Sequence, residues 1–147
     1  MPTSPDVHKV SAAWLKQAEE EFLTLRRVVS ESLFKEALGT DYQSRLERLL
    51  VGSELTYLLR LFSSFEAGLS LIGPSLHVPC VFSDRAGLRE KLDQIGAAMK
   101  MDPGFRQMVD KNLRELRNEL AHGHSLVPRR TFHATYELMR TFRKGCY

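Results

Sequence analysis

Apolar positions recur along this chain at three- and four-residue steps almost throughout, the period of helices that pack one side on a core. From about Asp6 to Leu38, Val10, Trp14, Ala18, Phe22, Leu25 and Val29 fall on one side; Met1 to Pro5 is expected to fray. Gly39-Thr40-Asp41 then ends this helix and caps the next. The second run, about Asp41 to Ile72, carries Leu49, Leu50, Leu55, Leu58, Leu59, Leu61, Phe62, Phe65 and Leu69 around much of its circumference, which predicts the central element. Gly73 to Ser83 (GPSLHVPCVFS) holds two prolines and a glycine and reads as a loop. Ser83 or Asp84 is expected to cap a third helix that runs to about Lys100, with Leu88, Leu92, Ile95 and Met99 as its stripe. Asp102-Pro103 supplies an N-cap and a first-turn proline for a fourth helix, where Phe105, Val109, Leu113, Leu116 and Leu120 recur until Gly123. After a short connection containing Pro128, a fifth spans about Thr131 to Lys144. Its Phe132, Tyr136 and Met139 point inward and His133, Glu137, Arg140 and Lys144 outward. Strand-like alternation, internal repeats and low-complexity segments are lacking. The expected fold is all-α: a five-helix bundle of long antiparallel neighbours, one domain over residues 1–147.

Composition adds bounds. At 147 residues the chain is long enough for one domain with a hydrophobic core, and 43% hydrophobic with 27% charged residues is ordinary for a soluble globular protein. Cys80 and Cys146 are too few for a disulfide framework. Cys80 with His77 lacks further metal ligands, so neither a metal nor another cofactor is expected. The N-terminus lacks a basic-then-apolar signal pattern and no apolar run approaches spanning length, so the expectation is an intracellular chain without a membrane partner.

Charge is unevenly placed. The formal net charge is +3, but residues 126–147 carry Arg129, Arg130, Arg140, Arg143 and Lys144 against Glu137, a net of +4, which leaves −1 for the rest. The excess follows directly on the fourth helix, where a polyanion would profit from it. Arg129, Arg130, Arg140 and Lys144 are therefore candidate RNA-backbone contacts, with a solvated basic surface as the equal alternative. Glu19-Glu20-Glu21 reads as a solvated face.

The candidate chemistry lies in Arg117-Asn118-Glu119-Leu120-Ala121-His122-Gly123. At ~100° per residue, Asn118 and His122 stack on the side opposite the apolar stripe with Arg114 and Ala121 beside them, and Arg117 lies on the flank. Small Ala121 leaves room for close approach. An arginine five to seven residues before a histidine is a weak signal alone, since chance supplies roughly 1.4 such matches in a chain of this composition. Its context, a helix end with Asn after the Arg and Gly after the His, is the informative part. On the second helix, Glu66 falls by helical angle beside Phe62, Leu55 and Leu69, a costly place for an ionised carboxylate without a partner. Arg117 is one candidate partner; Arg60, or water at a core edge, is the other.

A helical domain of this size with R-N-x-x-x-H at the end of its penultimate helix resembles the HEPN superfamily (higher eukaryotes and prokaryotes nucleotide-binding domains). Leu58–Ser70 (LLRLFSSFEAGLS) is similar to the long second helix of those domains, and Leu113–Gly123 (LRELRNELAHG) to the signature helix. The resemblance implies a metal-independent endoribonuclease that acts as a homodimer with two motifs facing each other. Such proteins are often the toxin of a toxin–antitoxin pair or part of phage defence. It also admits a non-cleaving RNA-binding or dimerisation module held by an antitoxin or a nucleotidyltransferase-like partner. In the catalytic case His122 moves the proton near neutral pH, favoured in its charged form by the helix C-terminus. Arg117 stabilises charge on the phosphate, and Asn118 orients the imidazole or bonds the phosphate. Glu66, Arg114 and His124 are supporting candidates, His124 as a secondary substrate contact. A plain helical regulatory domain, with the polar face as a protein interface, is the remaining alternative.

Overall fold

A computed structural model describes residues 4–35, 40–121 and 130–146. Five helices make up most of them: α1 Ser4–Lys35, α2 Thr40–Ser75, α3 Leu88–Ala98, α4 Pro103–Ala121 and α5 Arg130–Lys144. No strand occurs among the described residues, and the fold is all-α. α1 begins inside the segment expected to fray, at Ser4. The expected stop at Gly39 and the end of the first helix at Leu38 lie outside the described residues, as does Gly123.

Side-chain contacts give the helix directions. Along α1, Ser11 meets α2 at Gly68, Glu21 pairs with Arg60, and Phe22 packs on Tyr57 with ring centroids 5.8 Å apart, so α1 and α2 are antiparallel. Phe132 stacks on Phe22 at 4.3 Å, Phe142 meets Phe65 edge-on at 6.2 Å, and Arg143 Nη1 donates to His8 O at 3.4 Å. α5 therefore runs antiparallel to α1 but parallel to α2, a departure from the all-antiparallel expectation. Met101, just before α4, abuts Gly145, just after α5. α4 consequently starts beside the end of α5.

α2 packs against all four other helices, the central position its all-round apolar pattern predicts. Leu58, Leu61, Phe62, Phe65, Leu69 and Ile72 are buried there, each side chain stabilising the fold by ~1.5–3 kcal/mol relative to exposure. The window Glu47–Ser75 is long and apolar enough to cross a membrane by length and composition, contrary to the expectation that no run approaches that length. Its packing against four helices is that of a core helix.

The register of α1 differs from the predicted one. Val7, Ser11, Leu15, Ala18, Phe22 and Val29 are buried, whereas Val10 and Trp14 are exposed. α1 lies against both α2 and α5, so its buried side is centred between them. Small Ser11 lies against Gly68, where a Cβ would lie 3.1 Å from the Ser11 Cβ. Choosing the larger apolar residues turned the stripe away from that crossing.

Two element ends also differ. α2 continues through Gly73 and Pro74 to Ser75. Pro74 has no N–H to give the Ser70 carbonyl and its ring crowds that turn, a disturbance the helix absorbs within its last turn. Cys80 N then donates to Gly73 O at 3.0 Å, folding the loop back over the helix end. Any Cβ at Gly73 would lie 2.5 Å from the Phe82 ring, so only glycine lets the loop close so tightly. Ser83 to Ala86 forms a turn (Ala86 N to Ser83 O, 3.0 Å) instead of starting α3, whose N-cap is Gly87. α3 ends in a Schellman arrangement, with Met101 N donating to Gly96 O at 3.0 Å and Lys100 N to Ala97 O at 3.1 Å. Lys100 takes the left-handed position at φ 53°. Asp102 Oδ2 accepts from Phe105 N at 3.0 Å, capping α4 ahead of Pro103 as expected.

Buried polar groups join α1 to α5. His8 and Arg143 are both buried, and burial first, then the Arg143 charge, pushes the His8 imidazole below its usual 6.5. A depressed histidine holds its stabilising neutral form above the unfolded value, and that stability is lost as pH falls below the mid-sixes. An NMR titration of His8 should give a midpoint below 6.5, and one at or above 6.5 contradicts the packing described. The α1 register is tested by urea unfolding: Leu15→Ala should cost ~2–5 kcal/mol and Val10→Ala less than ~0.5 kcal/mol.

Candidate functional site

The stripe of α4 buries Val109, Leu113 and Leu116 and part-buries Phe105 and Leu120. That fixes its rotation. Arg114, Asn118 and Ala121 are turned outward and exposed, and Arg117 leaves the helix on the flank that faces α2. There Arg117 Nη1 lies 2.5 Å from Glu66 Oε1. The alternative partner is engaged elsewhere: Arg60 pairs with Glu21 of α1, both terminal nitrogens of its guanidinium reaching the carboxylate. Glu66 is 22% exposed and Arg117 47%, so solvent screens the pair and its worth is ~0.2–1 kcal/mol. Its main effect is geometric. It ties the guanidinium to the central helix one turn before the end of α4. Arg114 carries its own partner, Asp110, at 3.6 Å.

His122, His124 and Arg129 lie outside the described residues, and of the Arg130 side chain nothing is described. The structure thus brings together Arg117 and Glu66, with Arg114 and Asn118 on the same outer side of α4.

The other expected RNA contacts are not beside them. α5 ends beside the start of α4, and Lys144 stands ~21 Å along the helix from Arg130. Lys144 is exposed at that far end. Arg140 donates to Glu137 at 3.4 Å and faces Glu19 of α1. Arg143, counted in the positive tail, is buried beside His8. Charge summed along the sequence carries no direction in space, and the helix axis disperses this cluster. Burial pushes the Glu19 carboxyl up, with His133 and Arg140 pulling it down.

His77 is exposed and Cys80 buried, and among the described residues no group of three His, Cys, Asp or Glu could hold a metal ion. Burial pushes the Cys80 thiol up and that of Cys146 up to about 12, so neither forms the reactive thiolate near neutral pH. One carboxylate escaped the sequence reading. Glu54 of α2 is buried on the core side, one turn from Leu50 and Leu58. Its signal, an acid inside an apolar stripe, is the one that singled out Glu66.

No family model, curated protein or solved structure matches this chain.

The Glu66–Arg117 contact is testable by a double-mutant cycle in urea with Glu66→Gln and Arg117→Met. A coupling of ~0.5–1 kcal/mol is expected, and additivity of the two changes would show that the pair is not formed in solution.

Proposed function

We propose that this chain is a HEPN-type domain that cleaves RNA without metal as an intracellular homodimer, in the manner of toxin or defence ribonucleases. The observation that carries the reading is the Arg117–Glu66 pair. An arginine that must meet a phosphate needs to be held before the substrate arrives, and a carboxylate on the central helix holds it. Asn118, next on the outer side of the same helix, and His122, next turn along in sequence, complete the set.

In this reading the 2′-OH of a ribose loses its proton to a base as its oxygen attacks the adjacent phosphorus. The P–O5′ bond breaks as the new bond forms. In this reading His122 delivers the proton to the departing 5′-oxygen. The products are a 2′,3′-cyclic phosphate and a free 5′-OH. Arg117 offsets the charge that grows on the non-bridging oxygens, and a second copy supplies the imidazole that acts as base.

A second reading has its own support. The Arg117 charge is already met by Glu66, and Arg140 and Lys144 lie away from the end of α4. Both features fit a non-cleaving interaction module of the same kind, held by an antitoxin or nucleotidyltransferase-like partner.

Incubation with labelled RNA separates the two. The cleaving reading predicts cyclic-phosphate ends that persist in EDTA and fall ~10²–10⁴-fold in Arg117→Ala or His122→Ala, each with an unchanged helical circular dichroism spectrum. Products abolished by EDTA, or no products from wild type at any concentration, overturn it.

A further inference from the structure

We infer that the groove between α1 and α2 at Trp14 is a subsite that holds one base of a bound single-stranded RNA. A hollow of about 330 Å³ lies there, lined by Trp14 and Gln17 from α1 and by Arg60, Ser63, Ser64 and Ala67 from α2. Its size is that of a small ligand pocket, which runs from ~300 to ~1,000 Å³. Trp14 is the one tryptophan of the chain, and tryptophan is highly buried on average. Here it is 36% exposed and forms part of the wall of an open hollow. A flat ring left partly to solvent in this way is a platform for another flat ring.

The polar groups around that ring select the class of ligand. Of the six lining residues only Arg60 is charged, and both terminal nitrogens of its guanidinium reach the Glu21 carboxylate. The Tyr57 ring, 5.9 Å from the guanidinium carbon, holds it further. The Arg60 charge is matched before any ligand arrives, and a carboxylate stands beside it, so an anion gains little there. Gln17 Nε2 donates to the same carboxylate at 3.2 Å. Glu21 thus orients the Gln17 amide and leaves its oxygen and second N–H to a ligand, while Ser63 and Ser64 add two hydroxyls. Neutral donors and acceptors around an aromatic wall match a neutral planar ring with a polar edge, which describes a nucleobase. An aliphatic chain would take the amide and the hydroxyls out of water without replacing their hydrogen bonds.

The position of the hollow joins it to the candidate chemistry, and in this respect the inference rests on the proposed function. Ser63 and Ala67 fall ~60–100° around α2 from Glu66, the residue that holds Arg117. A helix with its side chains is ~10–12 Å across, so hollow and guanidinium are separated by a distance of the same order. A strand laid across α2 therefore meets Arg117 with one phosphate and Trp14 with a nearby base. Leu59, Ser63 and Ser70, exposed along that path, set no acid against the RNA backbone.

Because Trp14 is the sole tryptophan, its emission reports on the hollow directly. The probe for the full chain is a 2′-O-methyl oligoadenylate, whose blocked hydroxyl prevents cleavage. It should quench Trp14 to saturation, and an abasic strand of the same length should not. Trp14→Ala should weaken binding of the labelled oligoadenylate, read by anisotropy, by ~5–150-fold, the loss of one stacked base. That factor should be the same at low and high salt, since stacking releases no counterions. Trp14→Phe should recover most of the binding, and both variants should keep the wild-type circular dichroism spectrum. Absence of quenching, equal quenching by the abasic strand, or wild-type binding in Trp14→Ala overturns the subsite. So does quenching by free adenosine alone, which assigns the hollow to a nucleoside and not to RNA. Saturable quenching without cleavage of unmodified RNA would instead sink the enzymatic reading and leave the subsite standing; cleavage by a chain whose Trp14 is never quenched would do the reverse.

Discussion

The packing of α2 against every other helix is the constraint on which the rest of the structure depends. Phe65 and Leu69 lie at the middle of that packing, with Phe142 edge-on to Phe65. Because interiors are close-packed, the rotation of each outer helix is set by how its stripe meets α2. Arg117 reaches Glu66 because Leu113 and Leu116 are seated, and Arg60 reaches Glu21 because Leu15 and Ala18 are. The two surface ion pairs are consequences of core register more than causes of it. This agrees with the small free energy that half-exposed pairs contribute.

Much of the fold was legible because it is written in a single periodicity. Leu88, Leu92 and Ile95, Val109, Leu113 and Leu116, and Phe132, Tyr136 and Met139 are all buried where the helical spacing put them. Glu66 was legible for the converse reason, as an acid in an apolar neighbourhood. What escaped has physical causes. Ser11 and Gly68 meet closely where α1 packs on α2, and small residues carry no hydrophobic signal. Gly73 and Pro74 marked the end of α2 at Ile72 instead of Ser75, since the last turn absorbs the single hydrogen bond that a proline lacks. Gly87 caps α3 through its backbone conformation alone, with no side-chain hydrogen bond to betray it.

The site was legible in composition and less so in arrangement. The spacing of Arg114, Arg117 and Asn118 gave their placement on α4. The basic tail did not transfer in the same way. A run of positive residues on a helix becomes a line ~21 Å long with several azimuths. Arg143 turned into the core, and Arg140 toward the acids Glu19 and Glu137.

The corner between α3 and α4 sets more than a change of direction. Lys100 in its left-handed conformation and the Asp102 cap leave no slack between the two helices. A lengthening of that corner by one residue would turn α4 by ~100° about its own axis. The Arg117 guanidinium would then swing past the carboxylate that receives it, and the outward face would present a different row of side chains. The phase of the helix that carries the candidate chemistry is thus metered several turns upstream, by a lysine held in a backbone shape that glycine would adopt more readily.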